Sequence, residues 1–429
     1  MSPTFRSLSI YNYRLYWTGA FISNVGTWMS RVSQDWLVLT ELTDNSATAM
    51  GIVTALQFVP IVVLAPFGGV IADRFRKRRI LAVTQTALAV TSLLTGALIV
   101  SGVVELWHIY LLAFLQGVAT AIDNPARQTF VSEMVPRESI SNAVSLNSAS
   151  FNAARMIGPG VAGVTIAWLG TGPAFFLNTL SFVAVLVALF HMRPAELRPA
   201  PAVRTRGSLR EGARYVAHRP DLVVIMVLVF MLGTFGLNFR MTTALMATDV
   251  FHEGAGGYGL LGSIMAIGSL AGALLTARRP RPRLRFLLAG LAGFTLATFA
   301  GGIAPSYLLL AVFLVPIGFT TLVSTTSANS MVQLSVEPQM RGRVMSLYMA
   351  VLMGGTPLGA PLIGWIGDAF GARWTILIGT VAVGLSVVVA GFYLVRHEHL
   401  RVEYRRGRHH PIALVRQPGG RSVRERVAS

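Results

Sequence analysis

The chain has 429 residues, 53% of them hydrophobic and only 13% charged, with a mean hydropathy of +0.60 and a formal net charge of +18. Soluble domains carry about 25% charged residues, so the composition excludes a chain that mostly meets water. There is no cysteine, which excludes disulfides, thiol catalysis and cysteine-ligated metals.

Met1–Arg14 is polar, with no apolar core followed by a small-residue cleavage site, so no cleavable signal peptide is expected there. Charge-free runs follow at Ala47–Ala72, Ile80–Val104, Gly254–Ala277, Val344–Gly367 and Trp374–Val395. Each reaches the roughly 20 residues that a helix needs to cross a bilayer. Phe286–Val336 is also charge-free but too long for one crossing, and it breaks at Gly301-Gly-Ile-Ala-Pro305-Ser. The pattern predicts an all-α membrane protein with twelve spans: 14–40, 47–72, 79–103, 106–131, 142–168, 172–192, 221–247, 256–278, 284–304, 306–332, 343–366 and 371–395.

The N-terminus, the loops on one side and the tail hold 32 of the 36 Lys and Arg; Arg31, Arg155 and Arg240 lie inside spans and Arg373 on the far side. The positive-inside rule makes both termini cytoplasmic and explains the net charge without nucleic acid. The chain divides into a cytoplasmic N-terminus at 1–13, a six-helix half at 14–192, a linker at 193–220, a second six-helix half at 221–395 and an Arg-rich tail at 396–429. The linker contains a short amphipathic stretch, Ser208–Ala217. The tail, with nine arginines and His409-His410, is expected to be disordered, as a topology anchor or a contact for anionic headgroups. The two histidines make a poor metal site without nearby acids or thiols. No Gly-rich phosphate loop and no nucleophile-and-base constellation occurs, so neither ATP hydrolysis nor another enzymatic activity is indicated.

The turn after the second span reads Gly69-Val-Ile-Ala-Asp73-Arg74-Phe-Arg76-Lys77-Arg78-Arg79, with five basic residues in the six positions after Asp73. It resembles the signature loop of major facilitator superfamily transporters, Gly-x-x-x-Asp-Arg-x-Gly-Arg-Arg, at positions 69, 73, 74, 77 and 78, with Arg76 in place of the family's glycine. Gln34-Asp35-Trp36-Leu37, Asp123-Asn-Pro-Ala-Arg127-Gln128 and Asn152-Ala-Ala-Arg155-Met-Ile-Gly158-Pro159 resemble the bacterial subgroup of siderophore exporters and secretion or drug-efflux permeases.

The resemblance implies two pseudo-symmetric six-helix halves that rock around a central site. It implies proton-driven export of a small lipophilic molecule (a drug, siderophore or other metabolite) through a bacterial inner membrane. A monomer in the lipid bilayer, with protons as coupling ion and no other cofactor, follows from the same likeness. An importer or lysophospholipid-type flippase on this fold, or a non-transporting scaffold or sensor, are the alternatives. A shift of 201 residues aligns Ser145-Leu146 with Ser346-Leu347, Gly158 with Gly359, Gly163 with Gly364 and Gly170 with Gly371, an internal duplication of the expected kind.

Several residues are candidates for function. Gly69, Asp73, Arg74, Lys77 and Arg78, with Asp123 and Arg127, read as a cytoplasmic latch: a carboxylate at a helix end can meet a neighbouring helix N-terminus. Asp123 can pair with Arg74 or Arg127 there, or carry a proton. In the family's fourth-helix motif an arginine precedes the glutamine of Gln116-Gly117 by three positions; here Ala113 stands there, so that arginine's proton role does not transfer. Arg31 and Asp35 stand four apart on one helix face. They are either a proton-coupling pair or a salt bridge that pins the first helix, since an unpaired charge inside the membrane is costly.

Arg155 pairs with Asp35 or binds an anionic substrate, and Asn238 and Arg240 line a cavity opposite Arg31. Excess arginine over acid in the core suits an anionic or zwitterionic substrate. Gln57 and Gln116, with Asn24, Asn152, Asn178 and Asn329, are cavity candidates or interhelical glue. Gly158, Pro159 and Gly163 resemble the packing motif of the family's antiporters, with Ala162 in place of a glycine. Tyr16, Trp17, Trp36, Trp107, Tyr110 and Trp168 read as interface belts.

Overall fold

The computed structural model describes residues 3–198, 209–277 and 284–397, together with two short strands, 400–404 and 412–416. After N-terminal turns at Pro3–Ser9, α1 (Tyr11–Trp36) continues through wider turns at Leu37–Leu42. There the Thr43 hydroxyl donates to the Val38 carbonyl at 2.7 Å, a group that the widening leaves without its usual helical partner. Then come α2 (Ala47–Arg74), α3 (Lys77–Val100), α4 (Leu106–Met134), α5 (Ile140–Leu169) and α6 (Thr171–His191). The short helix α7 spans Leu209–Ala217.

The next long segment is broken. It comprises α8 (Pro220–Met231), wide turns at Leu232–Gly236, non-helical Leu237 and Asn238, then α9 (Phe239–Leu245) and wide turns to Val250. α10 (Ala255–Ala277), α11 (Leu284–Gly302), α12 (Tyr307–Ser335), α13 (Pro338–Phe370) and α14 (Ala372–His397) complete the bundle. In the tail, where the sequence predicts disorder, β1 (Leu400–Tyr404) pairs antiparallel with β2 (Ile412–Arg416); the other tail residues beyond 397 lie outside the described residues. Ten helical stretches among the described residues are long and apolar enough to cross a membrane. α1 and α5 are comparably long, at 26 and 30 residues, but richer in polar side chains.

α1 packs on α5 and α6, α2 on α4, and α3 on α4 and α6. The later helices repeat the scheme: the α8–α9 segment packs on α13 and α14, α10 on α12, and α11 on α12 and α14. Two further contacts, α2 with α13 and α5 with α10, join the two groups. Gly170 and Gly371 end α5 and α13 at φ 84° and 97°, conformations that a Cβ disfavours, so the next helix can turn back at once.

Between helices in lipid, apolar burial supplies little net drive, and close approach of small residues takes its place. Gly51 abuts the Ala360 carbonyl, Gly364 the Ala47 carbonyl, Gly163 the Ala255 carbonyl, and Gly259 the Pro159 carbonyl; a Cβ at any of these glycines would collide with the facing backbone. All four contacts lie at the end of the bundle away from the N-terminal turns and α7, called here the distal end. One buried core, including Leu37, Met50, Leu245, Leu261 and Ile363, runs across both groups of helices. A second, with Tyr13, Tyr16, Leu81 and Phe130, is confined to residues 13–192 at the terminal end.

Candidate functional site

The buried polar residues concentrate at two levels. Toward the distal end, Asp35 is 2% exposed on α1 and is held from the other group of helices. Tyr258 on α10 donates its hydroxyl to Asp35 Oδ2 at 2.9 Å, and Arg240 Nε on α9 lies 3.4 Å from the same oxygen. Arg240 also reaches Gln57 Oε1 on α2 at 3.4 Å, and Gln57 Nε2 donates to Gln34 Oε1 on α1 at 3.0 Å. A carboxylate buried at this depth is costly unless paired, and here its partners belong to the opposite set of helices. Asp35 therefore couples the two groups rather than pinning α1, and it pairs with Arg240 rather than with Arg31 or Arg155.

Arg31 lies 5.2 Å over the ring of Trp28, and the Trp28 and Phe151 rings meet edge-on with centroids 5.9 Å apart. Asn238 bonds within its own segment. Its Nδ2 donates at 2.8 Å to the Thr234 carbonyl, mending the break before α9, while its Oδ1 is buried without a protein partner. Gln116 is half-buried on α4 and joins no side-chain hydrogen bond of the Asp35 network among the described residues. Asn178 acts as interhelical glue, donating to Ser92 Oγ at 3.1 Å, whereas Asn152 donates to the Ser148 carbonyl of its own helix at 2.9 Å.

Nearer the terminal end, Asp123 and Arg127 form a second pair at 2.9 Å, one turn apart on α4. The other Asp123 oxygen accepts from Thr84 Oγ1 at 2.7 Å and Gln85 Nε2 at 2.9 Å, both on α3. Asp123 is thus spent inside its own group of helices. Tyr16 is 1% exposed and packs edge-on against Phe130 at 5.6 Å; it belongs to this core and not to an interface belt, whereas Trp168, 84% exposed, fits the belt. Lys77 pairs with Glu133 at 2.5 Å, tying α3 to α4. Arg78 donates to the Leu189 and Phe190 carbonyls at 2.7 and 3.1 Å, where unpaired carbonyls at the end of α6 attract a cation. Arg74 is exposed at the end of α2, and Gly69 and the Asp73 side chain lie outside the described residues.

α5 runs unbroken through Pro159. Gly158 faces Trp28 of α1, and Pro159 and Gly163 face Gly259 and Ala255 of α10. The segment Gly158–Gly163 is thus a two-sided packing surface. The equivalent glycines behave alike: Gly359 faces Thr234, and Gly364 faces Ala47.

Four participants escape sequence reading. Tyr258 follows two glycines and looks like an interface residue. Glu133 and Trp28 carry no motif. Asp368 sits at the end of a span, yet its carboxylate accepts from the backbone N–H groups of Ala47 and Thr48 at 2.7 and 3.0 Å and from Ser46 Oγ at 3.3 Å, capping α2 from across the interface.

Residues 2–415 match the transmembrane secretion effector family. The chain is 25% identical over 399 residues to a staphyloferrin A transporter of Staphylococcus aureus, covering 91% of this chain and 98% of that one. It is 28% identical over 389 residues to the multidrug efflux pump Tap of Mycolicibacterium fortuitum, covering 87% and 93%. Among solved structures, a bacterial homologue of the human lysosomal transporter Spinster, in an inward-facing and unoccupied conformation, superposes with a TM-score of 0.69 at 13% identity, covering 92% of this chain and 98% of that one.

Proposed function

The chain belongs to the transmembrane secretion effector family of major facilitator-type membrane transporters, and from that premise we propose that it exports a small lipophilic molecule in exchange for protons. In this reading the helices are twelve spans in two six-helix halves, 14–192 and 221–395, in a bacterial inner membrane with both termini cytoplasmic. The repeated packing scheme and the matched glycines support two halves; the arginine distribution supports the orientation. The distal end is then the outer face.

The observation that carries the reading is Asp35, a buried carboxylate held across the halves by Arg240 and Tyr258. Alternating access requires contacts between the halves that break and re-form. Protonation removes the charge on which the Arg240 pair depends, so the same event that loads a proton from outside weakens the outer closure. Release of that proton to the cytoplasm restores the pair and recloses the outer face. In the opposite state the Asp73–Arg79 turn closes the cytoplasmic side. Asp123 contributes from within its half by fixing α3 against α4.

The test is proton movement in liposomes containing the purified chain, under an imposed pH gradient, with lipophilic cations, siderophores and lysophospholipids as substrates. Substrate-triggered collapse of the gradient is expected, and Asp35→Asn should abolish it while leaving membrane insertion intact. Normal coupled efflux by Asp35→Asn would sink the assignment.

A further inference from the structure

The cations of the bundle interior outnumber its acids, and the structure shows which are left over. Asp123 holds Arg127, and Asp35 holds Arg240. Arg31 and Arg155 remain, and among the described residues neither makes an ion pair or a hydrogen bond. Arg155 lies midway along α5, 15 positions from Ile140 and 14 from Leu169. An arginine there is costly unless it faces water or an anion.

Both residues stand on helix faces that meet at one indole. Phe151, Arg155 and Gly158 stand at i, i+4 and i+7 and so share one stripe of α5. The first meets the Trp28 ring and the last abuts the Trp28 Cβ. Arg155 lies between them on that stripe, at the level of Trp28, while Arg31 lies over the Trp28 ring from α1 itself. Trp28, Arg31 and Arg155 are all partly exposed, and Phe151 is 45% exposed. The result is an aromatic pair with one guanidinium lacking a counter-ion over it and a second such arginine on the adjoining stripe of α5.

We infer that Arg31, Arg155, Trp28 and Phe151 form a binding site for an organic anion, with a carboxylate held by the guanidiniums and a flat apolar body on the rings. Guanidinium forks match carboxylate geometry, and their weak hydration suits a partly dry site. Assigning this site to the exported molecule rests on the transport reading; the binding of an anion does not.

The experiment is equilibrium titration of the purified full chain in lipid nanodiscs with naphthoate and with its neutral analogue naphthamide. Naphthoate should bind more tightly, and Arg155→Gln and Arg31→Gln should each weaken it by about tenfold, the scale of one charge-assisted hydrogen bond. Naphthamide affinity should not change in either variant. Arg155→Lys, which keeps the charge and loses the fork, should recover part of the loss, and it keeps the test valid if Arg155→Gln unfolds. Equal binding of the two probes by the unaltered chain, no binding of naphthoate, or an unchanged preference in both glutamine variants would overturn the inference. Titration needs no turnover. Naphthoate binding without any proton flux would leave the site standing and remove the coupled-transport reading instead.

Discussion

The two ends of the bundle are built from the same kinds of residue and do opposite things with them. At the distal end, glycines bring backbones from the two groups of helices into contact, and the charges sit across the boundary: Asp35 with Arg240, Asp368 on the first turn of α2. At the terminal end the charges stay inside one half. Lys77 takes Glu133, Arg127 takes Asp123, and Arg78 takes the last carbonyls of α6. The second apolar core is likewise confined to the first half. One end therefore joins the two groups of helices, and at the other the first group is bonded to itself. The proposed transport cycle needs both, because groups of helices that deformed internally would not transmit an opening from one face to the other.

The absence of native cysteine allows this contrast to be measured with one reporter, a cysteine placed at Ser263 beside Gly160 at the distal interface. The largest effect is expected from Gly364→Leu, which forces a side chain against the Ala47 carbonyl. Overpacking of this kind costs about 1–3 kcal/mol, enough to raise the rate of thiol labelling from the distal face by about fivefold to a hundredfold. Tyr258→Phe removes one hydrogen bond to a buried carboxylate, a loss of about 1–2 kcal/mol, and labelling should rise severalfold.

Asp368→Asn keeps a capping oxygen but loses the charge at the helix N-terminus, so a rise of about twofold is expected from a few tenths of a kcal/mol. Glu133→Gln should leave labelling unchanged while lowering the thermal unfolding midpoint, since it unpairs Lys77 within one half. A distal opening in Glu133→Gln as large as that in Gly364→Leu would erase the distinction between the two ends.

Much of the architecture is legible in the chain because a bilayer imposes long apolar helices that have to satisfy their own backbone. The predicted spans and the observed helices agree to within a few residues at most ends: 47–72 against Ala47–Arg74, and 284–304 against Leu284–Gly302. The largest differences are at 343–366, where the helix starts earlier, at Pro338, and in the segment after Pro220. That segment reads as one apolar run but breaks at Asn238, because the Asn side chain substitutes for a backbone donor, which composition does not reveal.

The candidate site was half legible. Asp35, Arg31, Arg155, Arg240 and Gln57 stand out as ionisable or amide groups among apolar neighbours, where each demands a reason. Their partners do not stand out, since Tyr258 and Trp28 are ordinary residues in a membrane helix.

The sequence by itself determined the family, the long apolar helices and which charges had to be accounted for. Those follow from spacing along one chain and from the cost of placing polar groups in hydrocarbon. Only the tertiary structure decided who answers Asp35, that Asp123 is satisfied within its own group of helices, that Asp368 caps a helix of the other group, and that Arg31 and Arg155 are left without an acid among the described residues. Pairing depends on which faces the packed helices turn toward each other, a distance through space that spacing along the chain does not encode.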